Sequence, residues 1–281
     1  MSHGSVRRVE IPEFRLDDRL TTEHLDYFDA YGFIRLRGFA PRAQALALYA
    51  AFDALTNDLV ARRETHVNGV PLLRGRRSDG SLFFGRIPYV SLHRPEFRDF
   101  LRDARLQAII EQLAPGGRLA ETERDGLVVS RYRNDPGSSL PCLGWHTDSL
   151  REIAYGKVPR RYINIGFSLS DSPTRVGGLR VLPFTHRQPV LSMLTRKMNF
   201  FDVDADPDEV AITTEAGDLT IHDSRIWHRA ATAEVTGDDS ERCVAYMPVM
   251  QGPTRSTTDS ARSITQIIRA VNWLRRRRAV R

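Results

Sequence analysis

Two imidazoles and one carboxylate are the side chains of this 281-residue chain that are best suited to hold a metal ion. His146 and Asp148 lie two positions apart, and His228 follows far downstream. On a strand, side chains at positions i and i+2 point the same way, so the first two could reach one ion. Two imidazoles and a carboxylate on one face of iron(II) leave the opposite face open for chemistry.

The pair alone is weak evidence, because His-x-Asp combinations often occur by chance. Without a third ligand, His146 could be a hydrogen-bonded histidine near a turn and Asp148 a helix N-cap. The long interval to His228 requires a fold that brings distant strands together, as an antiparallel barrel or jelly roll does. His222 is a rival third ligand, since on a strand leading to His228 it would face the same way.

Length and composition are typical of a globular protein with a substantial core, since 41% of the residues are hydrophobic. No run of about 18 apolar residues predicts a membrane span. The first residues lack the apolar segment of a secretory signal. The two cysteines, Cys142 and Cys243, are too few for a disulfide framework. These features favour a reducing, cytoplasmic location.

The chain is basic, with a formal net charge of +6 and a sequence pI near 9.7. Such a charge could indicate a nucleic-acid partner. However, the arginines are scattered and no reader motif accompanies them. The one dense run, residues 275–278, is explained as a solvated helix end. We therefore expect neither a nucleic-acid nor a membrane partner.

The N-terminal half is predicted to be mainly helical, after loosely ordered residues 1–20. Helices are expected from Thr21 or Thr22 to Ala30, from Pro41 onward, and from Pro95 to Pro115. The second has an apolar face of Ala45, Leu48, Phe52, Leu55 and Leu59. The alternating segment 33–37 predicts a strand, and the glycine-rich segment 62–92 is predicted to be irregular.

From about residue 127 the chain is predicted to be β, with strands near 127–129, 162–167, 179–182, 218–222 and 243–247. This order predicts an α+β fold whose core is a double-stranded β-helix, that is, a cupin-like jelly roll. N-terminal and C-terminal helices are expected to pack on one sheet. We expect a single domain over 1–281, with helical support and lid in 21–126, the jelly-roll core in 127–250, and a C-terminal helix in 251–281, centred on 258–277.

Several motifs in a fixed order carry a family resemblance. They are Tyr31 to Gly38, Gly144 to Asp148, Gly177 to Arg187, Gly217-Asp218 followed by Trp227-His228, and Arg242. From about residue 21 to 250 the chain resembles the phytanoyl-CoA dioxygenase family of iron(II)- and 2-oxoglutarate-dependent oxygenases. The resemblance implies iron(II), 2-oxoglutarate and dioxygen (O2) as cofactor and cosubstrates. It also implies that His146, Asp148 and His228 are the iron ligands.

By the same resemblance, Arg242 binds the distal carboxylate of 2-oxoglutarate, which suits its planar guanidinium. Val244 stands where some related oxygenases have a hydroxyl, so a second cosubstrate contact must come from elsewhere. Three residues are candidates for it: Arg131, Tyr132 and Thr185. Arg131 is favoured because it lies on the strand before the metal motif. Related halogenases lack the carboxylate ligand, so the presence of Asp148 argues against halogenation.

The resemblance implies oxidation of an unactivated C–H bond, with hydroxylation as the expected outcome. Desaturation, epoxidation, cyclisation and epimerisation stay open, as does hydroxylation of an acyl-CoA. A non-catalytic cupin-like binding protein is the alternative of another class. The expected substrate is a small, partly apolar natural product with oxygen or anionic groups. It is expected to bind among aromatic and arginine side chains in the predicted loops 62–92, 149–161 and 187–209.

Overall fold

The structure is a computed structural model that describes residues 9–150, 162–252 and 264–279. Its strands, in chain order, are β1 Phe33–Leu36, β2 His66–Val67, β3 Val70–Pro71, β4 Leu73–Arg76, β5 Leu82–Ile87, β6 Arg118–Leu119, β7 Val128–Tyr132, β8 Leu143–His146, β9 Ile163–Ser168, β10 Gly178–Leu182, β11 Val210–Ile212, β12 Leu219–Asp223, β13 Trp227–Ala231 and β14 Arg242–Met250.

The helices of the described residues are α1 Thr22–Tyr31, α2 Arg42–Ala61, α3 Val90–His93, α4 Pro95–Phe100, α5 Ala104–Leu113, α6 Val190–Thr195 and α7 Ile264–Ala279. Three 3-10 turns lie at Thr174–Val176, Thr185–Arg187 and Gly237–Ser240. None of the helices in these ranges is both long enough and apolar enough to cross a membrane.

Two antiparallel sheets form the core. The main sheet has eight strands in the order β1-β12-β9-β14-β7-β5-β4, with β6 added beside β14. The minor sheet has the order β11-β10-β13-β8, and β2 and β3 form a separate hairpin. Residues from both sheets line one pocket, so the sheets face each other across it. This arrangement confirms the predicted jelly-roll core with helices.

Strand alternation divides the main sheet into a pocket face and a helix-covered face. On β14, Tyr246 lines the pocket, whereas its neighbours Ala245 and Met247 belong to the large core cluster. The helical layer packs on the second face through the apolar stripe of α2 predicted from the sequence. Phe52 of that stripe is fully buried in the cluster, and burying one such side chain contributes about 1.5–3 kcal/mol.

The N-terminal segment is more ordered than predicted over the part that the structure describes. Phe14, Leu16 and Leu20 are buried in the core cluster. Residues 1–8 of the same prediction lie outside the described ranges. Thr21 caps α1, as expected, because its side chain accepts a hydrogen bond from the His24 backbone N–H.

Two further expectations for the N-terminal half are wrong. The segment 62–92 contains β2 to β5 in place of irregular chain, and β5 lies within the main sheet beside β7. The single helix expected after Pro95 is interrupted between α4 and α5. Asp103 caps α5 by accepting from the Arg105 backbone N–H at 2.9 Å, so a local hydrogen bond restarts the helix there.

The C-terminal helix does not join the helical layer. Ile268 packs with Leu73, Tyr132, Leu140 and Ala230, a cluster at the pocket between the sheets. α7 begins at Ile264 and ends at Ala279, so the predicted residues 258–263 lie outside the described ranges. This helix therefore packs on residues of both sheets, Leu73 and Tyr132 of the main sheet and Ala230 of the minor sheet.

Candidate metal centre and cosubstrate pocket

Strands β8 and β13 of the minor sheet carry the two imidazoles. His146 pairs directly with His228 across the sheet, and their ring centroids are 4.1 Å apart. The next pair along is Leu143 with Ala230, so β8 contains one extra residue, a β-bulge. A bulge changes which way the following side chains point. As a result, Leu143 and His146 both line the pocket.

Asp148 lies beyond the end of β8, which stops at His146. The prediction that both residues occupy one strand is therefore wrong, although they do converge. The Nε2 atom of His146 is 4.0 Å from Oδ1 of Asp148, and the Nε2 atom of His228 is 4.0 Å from Oδ2. One ligand atom from each residue lies within 4.8 Å of the other two. The three side chains thus surround a single point.

Backbone carbonyls fix the orientation of both imidazoles. The Nδ1 atom of His146 is 2.8 Å from the carbonyl oxygen of Gly144, and that of His228 is 3.1 Å from the carbonyl oxygen of Ile226. A carbonyl oxygen only accepts, so Nδ1 carries the proton and Nε2 keeps its lone pair. Phe200 stacks on the His146 ring at 4.6 Å. Both Nε2 atoms are therefore prepared to bind a metal.

The site holds its donors in the protonation states that a metal requires. Burial lowers the pKa of His146 and lowers that of His228 further, so both imidazoles are neutral near pH 7. Burial disfavours ionisation of Asp148, but the hydrogen bond with His222 and the nearby imidazoles outweigh it and lower the pKa of that carboxyl. Two neutral nitrogens and one anionic oxygen suit iron(II).

The rival ligand His222 lies beside this triad. Its Nε2 is 3.3 Å from Oδ2 of Asp148, and Nδ2 of Asn164 is 3.1 Å from the same oxygen. The His222 ring also packs against His228, with centroids 4.4 Å apart. Among the residues in the described ranges, the group placed to share one ion is His146, Asp148 and His228.

Arg242 is a buried cation whose hydrogen bonds go to neutral groups. Its Nε donates to the carbonyl oxygen of Val176 and its Nη2 to that of Ala231, each at 3.1 Å. Its guanidinium lies 3.9 Å from the centre of the Tyr132 ring. No carboxylate of the described part of the chain lies within 4.0 Å of it. Burial lowers its pKa from a very high ordinary value, and the group stays charged near pH 7.

The three candidates for a second cosubstrate contact have different surroundings. Tyr132 lines the pocket beside Arg242. Arg131 faces the helical layer, where it pairs with Asp53 and Glu241. Successive residues of a strand point to opposite faces, so Tyr132 and Arg131 cannot both reach the pocket. The preference for Arg131 is therefore corrected.

Thr185 is also placed away from the pocket lining. Its hydroxyl donates to the carbonyl oxygen of Leu182 at 2.7 Å and accepts from the Trp227 backbone N–H at 2.9 Å. These bonds connect the 3-10 turn Thr185–Arg187 to the start of β13. Thr185 thus helps to position the strand that carries His228, and its expected cosubstrate contact is corrected as well.

Of the described histidines, His186, His66 and His93 do not line the pocket. His186 lies in the same 3-10 turn, as expected, with Nε2 2.9 Å from the carbonyl oxygen of Asp29. His66 and His93 are exposed.

Several pocket residues escaped the sequence reasoning. Arg86, Arg124, Tyr162, Asn164 and Tyr246 all line the pocket. Strand parity could have revealed Tyr246, because it lies four positions after Arg242 on the same strand. Arg86 could not be found this way, since β5 lay in a segment predicted to be irregular. Of the other two predicted loops, 187–209 is described in whole. The loop 149–161 is described only at residues 149–150, and 151–161 lies outside the described residues.

A jelly roll with a His-Asp-His triad in its pocket, and a buried arginine against the pocket residue Tyr132, is typical of one class: 2-oxoglutarate-dependent non-haem iron enzymes. The family comparison agrees, because the model of the phytanoyl-CoA dioxygenase family matches residues 28–234. The chain belongs to this family, as the resemblance predicted. No curated protein matches it in sequence.

Solved structures that share the fold include HygX, EvdO2 and SnoN. HygX from Streptomyces hygroscopicus, with nickel and 2-oxoglutarate bound, has a TM-score of 0.59 at 17% identity, covering 84% of this chain and 89% of HygX. EvdO2 from Micromonospora carbonacea var. aurantiaca, complexed with 2-oxoglutarate, has a TM-score of 0.59 at 21% identity, covering 86% of this chain and 95% of EvdO2. The non-haem epimerase SnoN from nogalamycin biosynthesis has a TM-score of 0.54 at 17% identity, covering 80% of each chain.

Proposed function

We propose that this enzyme oxidises an unactivated C–H bond of a small natural product, with hydroxylation as its main outcome. One observation carries the proposal. A triad of two neutral imidazoles and a carboxylate shares a cavity wall with Tyr132, whose ring contacts the buried cation Arg242. A metal ion at the triad and a dicarboxylate reaching toward the cation would satisfy both features.

His146, Asp148 and His228 would hold iron(II) on one face, through the two Nε2 atoms and one carboxylate oxygen. The fit is chemical as well as geometric, since the donors are neutral nitrogen and anionic oxygen and their outer hydrogen bonds are satisfied by the chain. When bound, iron(II) with 2-oxoglutarate and dioxygen supplies the oxidising power for attack on a C–H bond.

Arg242 would bind the distal carboxylate of 2-oxoglutarate. Its acceptors among the described residues are two carbonyl oxygens, so a carboxylate would supply a counter-charge that those residues do not. Tyr132 is the second contact that we favour, because its ring already lies against the guanidinium. Tyr246 lines the same cavity, and burial raises its pKa well above the ordinary value, so its hydroxyl stays a donor.

The rest of the cavity wall would hold the substrate and exclude water. Apolar wall residues are Val128, Leu143, Leu179, Ala230 and Pro248. Arg86, Arg124 and Tyr162 add polar and cationic groups to the same wall, and the guanidinium of Arg124 lies 4.0 Å from the centre of the Tyr162 ring. This mixture suits a partly apolar molecule that carries oxygen or anionic groups.

Two fold neighbours support a natural-product substrate. HygX has been crystallised with hygromycin B and SnoN with nogalamycin RO. SnoN is an epimerase, which favours epimerisation as the second candidate outcome for the same hydrogen-abstracting site. Both free cysteines, Cys142 and Cys243, suit the cytoplasmic location that we propose.

Anaerobic titration with iron(II) and 2-oxoglutarate tests the cofactor assignment. A functional site gives a weak visible charge-transfer band, whereas a cupin-like protein with a vestigial site gives none. His146→Ala and Asp148→Ala should each abolish substrate-dependent succinate formation. Full turnover by both variants without added metal would contradict the proposal.

Substrate class is tested separately, by incubating the iron-loaded enzyme with candidate polyketides and acyl-CoAs. Gain of one oxygen indicates hydroxylation, loss of two hydrogens indicates desaturation or ring closure, and a product of unchanged mass with altered retention indicates epimerisation. Conversion of acyl-CoAs alone would replace the natural-product assignment.

A further inference from the structure

Two main-sheet side chains hold one oxygen of the carboxylate in the candidate metal centre. Asn164 on β9 and His222 on β12 are direct partners in the antiparallel register, so they project side by side into the interior. Both reach Oδ2 of Asp148, Asn164 through Nδ2 at 3.1 Å and His222 through Nε2 at 3.3 Å. We refer to Asn164 and His222 together as the Asp148 clamp.

The direction of the hydrogen bond between His222 and Asp148 follows from the atoms that face each other. Nε2 of His222 faces a carboxylate oxygen, which accepts, while its buried Nδ1 has no hydrogen-bond partner within the described ranges. Nε2 is therefore the atom that donates. Asn164 can donate only through its amide nitrogen, and that is the atom facing Asp148. Both members of the clamp are donors to one oxygen.

Occupation of Oδ2 by two donors leaves Oδ1 as the less engaged oxygen. Oδ1 lies 4.0 Å from Nε2 of His146, and Oδ2, the oxygen that the clamp holds, lies 4.0 Å from Nε2 of His228. A carboxylate that binds through one oxygen uses a single metal position, whereas one that binds through both uses two. The facial arrangement needs the remaining three positions for other ligands.

We propose that His222 and Asn164 are positioning residues that hold Asp148 as a one-oxygen ligand of the iron. This inference rests on the proposed ligand set and adds a role that the ligands alone do not define. The triad and the clamp come from different parts of the fold. His146 and His228 belong to the minor sheet, whereas the clamp belongs to the main sheet. The clamp thus connects the metal centre to the opposite wall of the jelly roll.

A purely packing role for His222 is the competing explanation, because its ring also contacts His228 with centroids 4.4 Å apart. Two substitutions separate the explanations. His222→Phe keeps an aromatic ring and removes the donor. His222→Gln removes the ring and keeps an N–H donor near the position of Nε2. If His222 holds Asp148, His222→Phe should weaken metal binding. If His222 only packs against His228, His222→Gln should weaken it.

The primary measurement is nickel(II) binding by calorimetry, which needs neither substrate nor turnover. His222→Phe should weaken nickel binding by roughly 10- to 100-fold, the usual effect of losing an outer-shell partner. His222→Gln should keep most of the affinity. Asn164→Leu should resemble His222→Phe. In the anaerobic iron(II) and 2-oxoglutarate complex, the visible band should shift in the Phe and Leu variants and stay unchanged in the Gln variant.

Thr220→Val is the matched control. Thr220 lies on the same strand, two positions before His222, and its hydroxyl donates to the carbonyl oxygen of Gly166 without contacting a ligand. It should leave nickel affinity unchanged. Circular dichroism and melting temperature are recorded for every variant, and Asn164→Leu supplies the test if His222→Phe does not fold.

Wild-type nickel affinity in folded His222→Phe and Asn164→Leu would overturn the clamp, as would equal losses in the Phe and Gln variants. Failure of the proposed function looks different. In that case the wild-type protein itself would bind neither nickel nor iron with 2-oxoglutarate.

Discussion

At the scale of single residues, Arg242 and Arg131 show how the alternation of side chains along a strand decides what each one contacts. Arg242 pairs with Tyr132 and Cys243 pairs with Arg131 in the register of β14 and β7. Arg242 and Tyr132 share the pocket side, while Arg131 lies under the helices between Asp53 and Glu241. Arg131 is therefore paired with acidic side chains, whereas the hydrogen bonds of Arg242 within the described residues go to carbonyl oxygens.

Arg242→Met should weaken 2-oxoglutarate binding roughly thirtyfold or more, because removing one partner of a buried charge pair costs about 2 kcal/mol or more. Titration of the visible band of the anaerobic iron(II) complex measures this affinity. Arg131→Met is the control. It should lower the melting temperature, since it breaks the pairs with Asp53 and Glu241, yet leave the cosubstrate affinity of the folded protein unchanged. Equal losses of affinity in both variants would refute the assignment.

The lowered pKa values of His146 and His228 predict how metal binding depends on pH. Protons compete with the metal for Nε2, and an ordinary imidazole of pKa about 6.5 is roughly three-quarters protonated at pH 6. Because both pKa values are lowered, that competition begins at a lower pH. Nickel(II) affinity should therefore begin to fall at a lower pH than it would for ordinary imidazoles. Calorimetry from pH 8 downward checks the sign, and a steep loss between pH 7 and pH 6 would be contrary to it.

At the scale of elements, the turn before β10 positions Arg242. Gly177 has φ 82°, and a Cβ there would lie 2.2 Å from the carbonyl oxygen of Ala231. That oxygen accepts from Nη2 of Arg242. The missing side chain therefore allows the turn to approach the carbonyl that orients the arginine.

Gly177→Ala should destabilise the fold by about 1–3 kcal/mol through backbone strain and should also weaken 2-oxoglutarate binding by displacing the Ala231 carbonyl. Chemical denaturation and the cosubstrate titration measure the two effects. Gly237→Ala is matched in backbone, with φ 70°, but a Cβ there meets nothing within 4 Å. Gly237→Ala should lower the stability of the fold and leave the affinity for 2-oxoglutarate unchanged. Unchanged cosubstrate affinity in Gly177→Ala would show that the turn does not position Arg242 for cosubstrate binding.

Helices and strands were predicted correctly where their pattern depends on residues that are close in sequence. The stripe of α2 and the alternation of β1 are set by neighbouring residues, and both elements were found. The bulge in β8 depends on pairing with β13, so spacing alone placed His146 and Asp148 incorrectly on one strand. The β5 strand escaped although its hairpin partner β4 is close in sequence, and its place in the main sheet depends on β7, which lies far along the chain.

At the scale of the whole molecule, many of the arginines that the structure describes are paired with acidic residues. Among these ion pairs are Arg37 with Asp218, Arg42 with Asp171, Arg133 with Glu241, and Arg229 with Glu209. Nucleic-acid binders instead concentrate unpaired basic residues on one face. The net charge of +6 is therefore a poor guide to a nucleic-acid partner.

The protein should show no retention on immobilised DNA at physiological salt, because few phosphates could be neutralised together. A salt gradient on a DNA column, with a basic DNA-binding domain as reference, measures this. Elution of this protein well above physiological salt would contradict the expectation and give the basic C-terminal run a function.

The sequence by itself determined the donor types, their order along the chain, the jelly-roll class and the family, because these depend on residue identity and short-range periodicity. The tertiary structure decided which side chains share the pocket. It directed Arg131 and Thr185 away from it, brought Tyr132, Tyr246 and Arg86 to its wall, and set His222 and Asn164 against Asp148. The physical reason is that facing and distance depend on strand register, bulges and the approach of two sheets, which involve residues far apart in the chain.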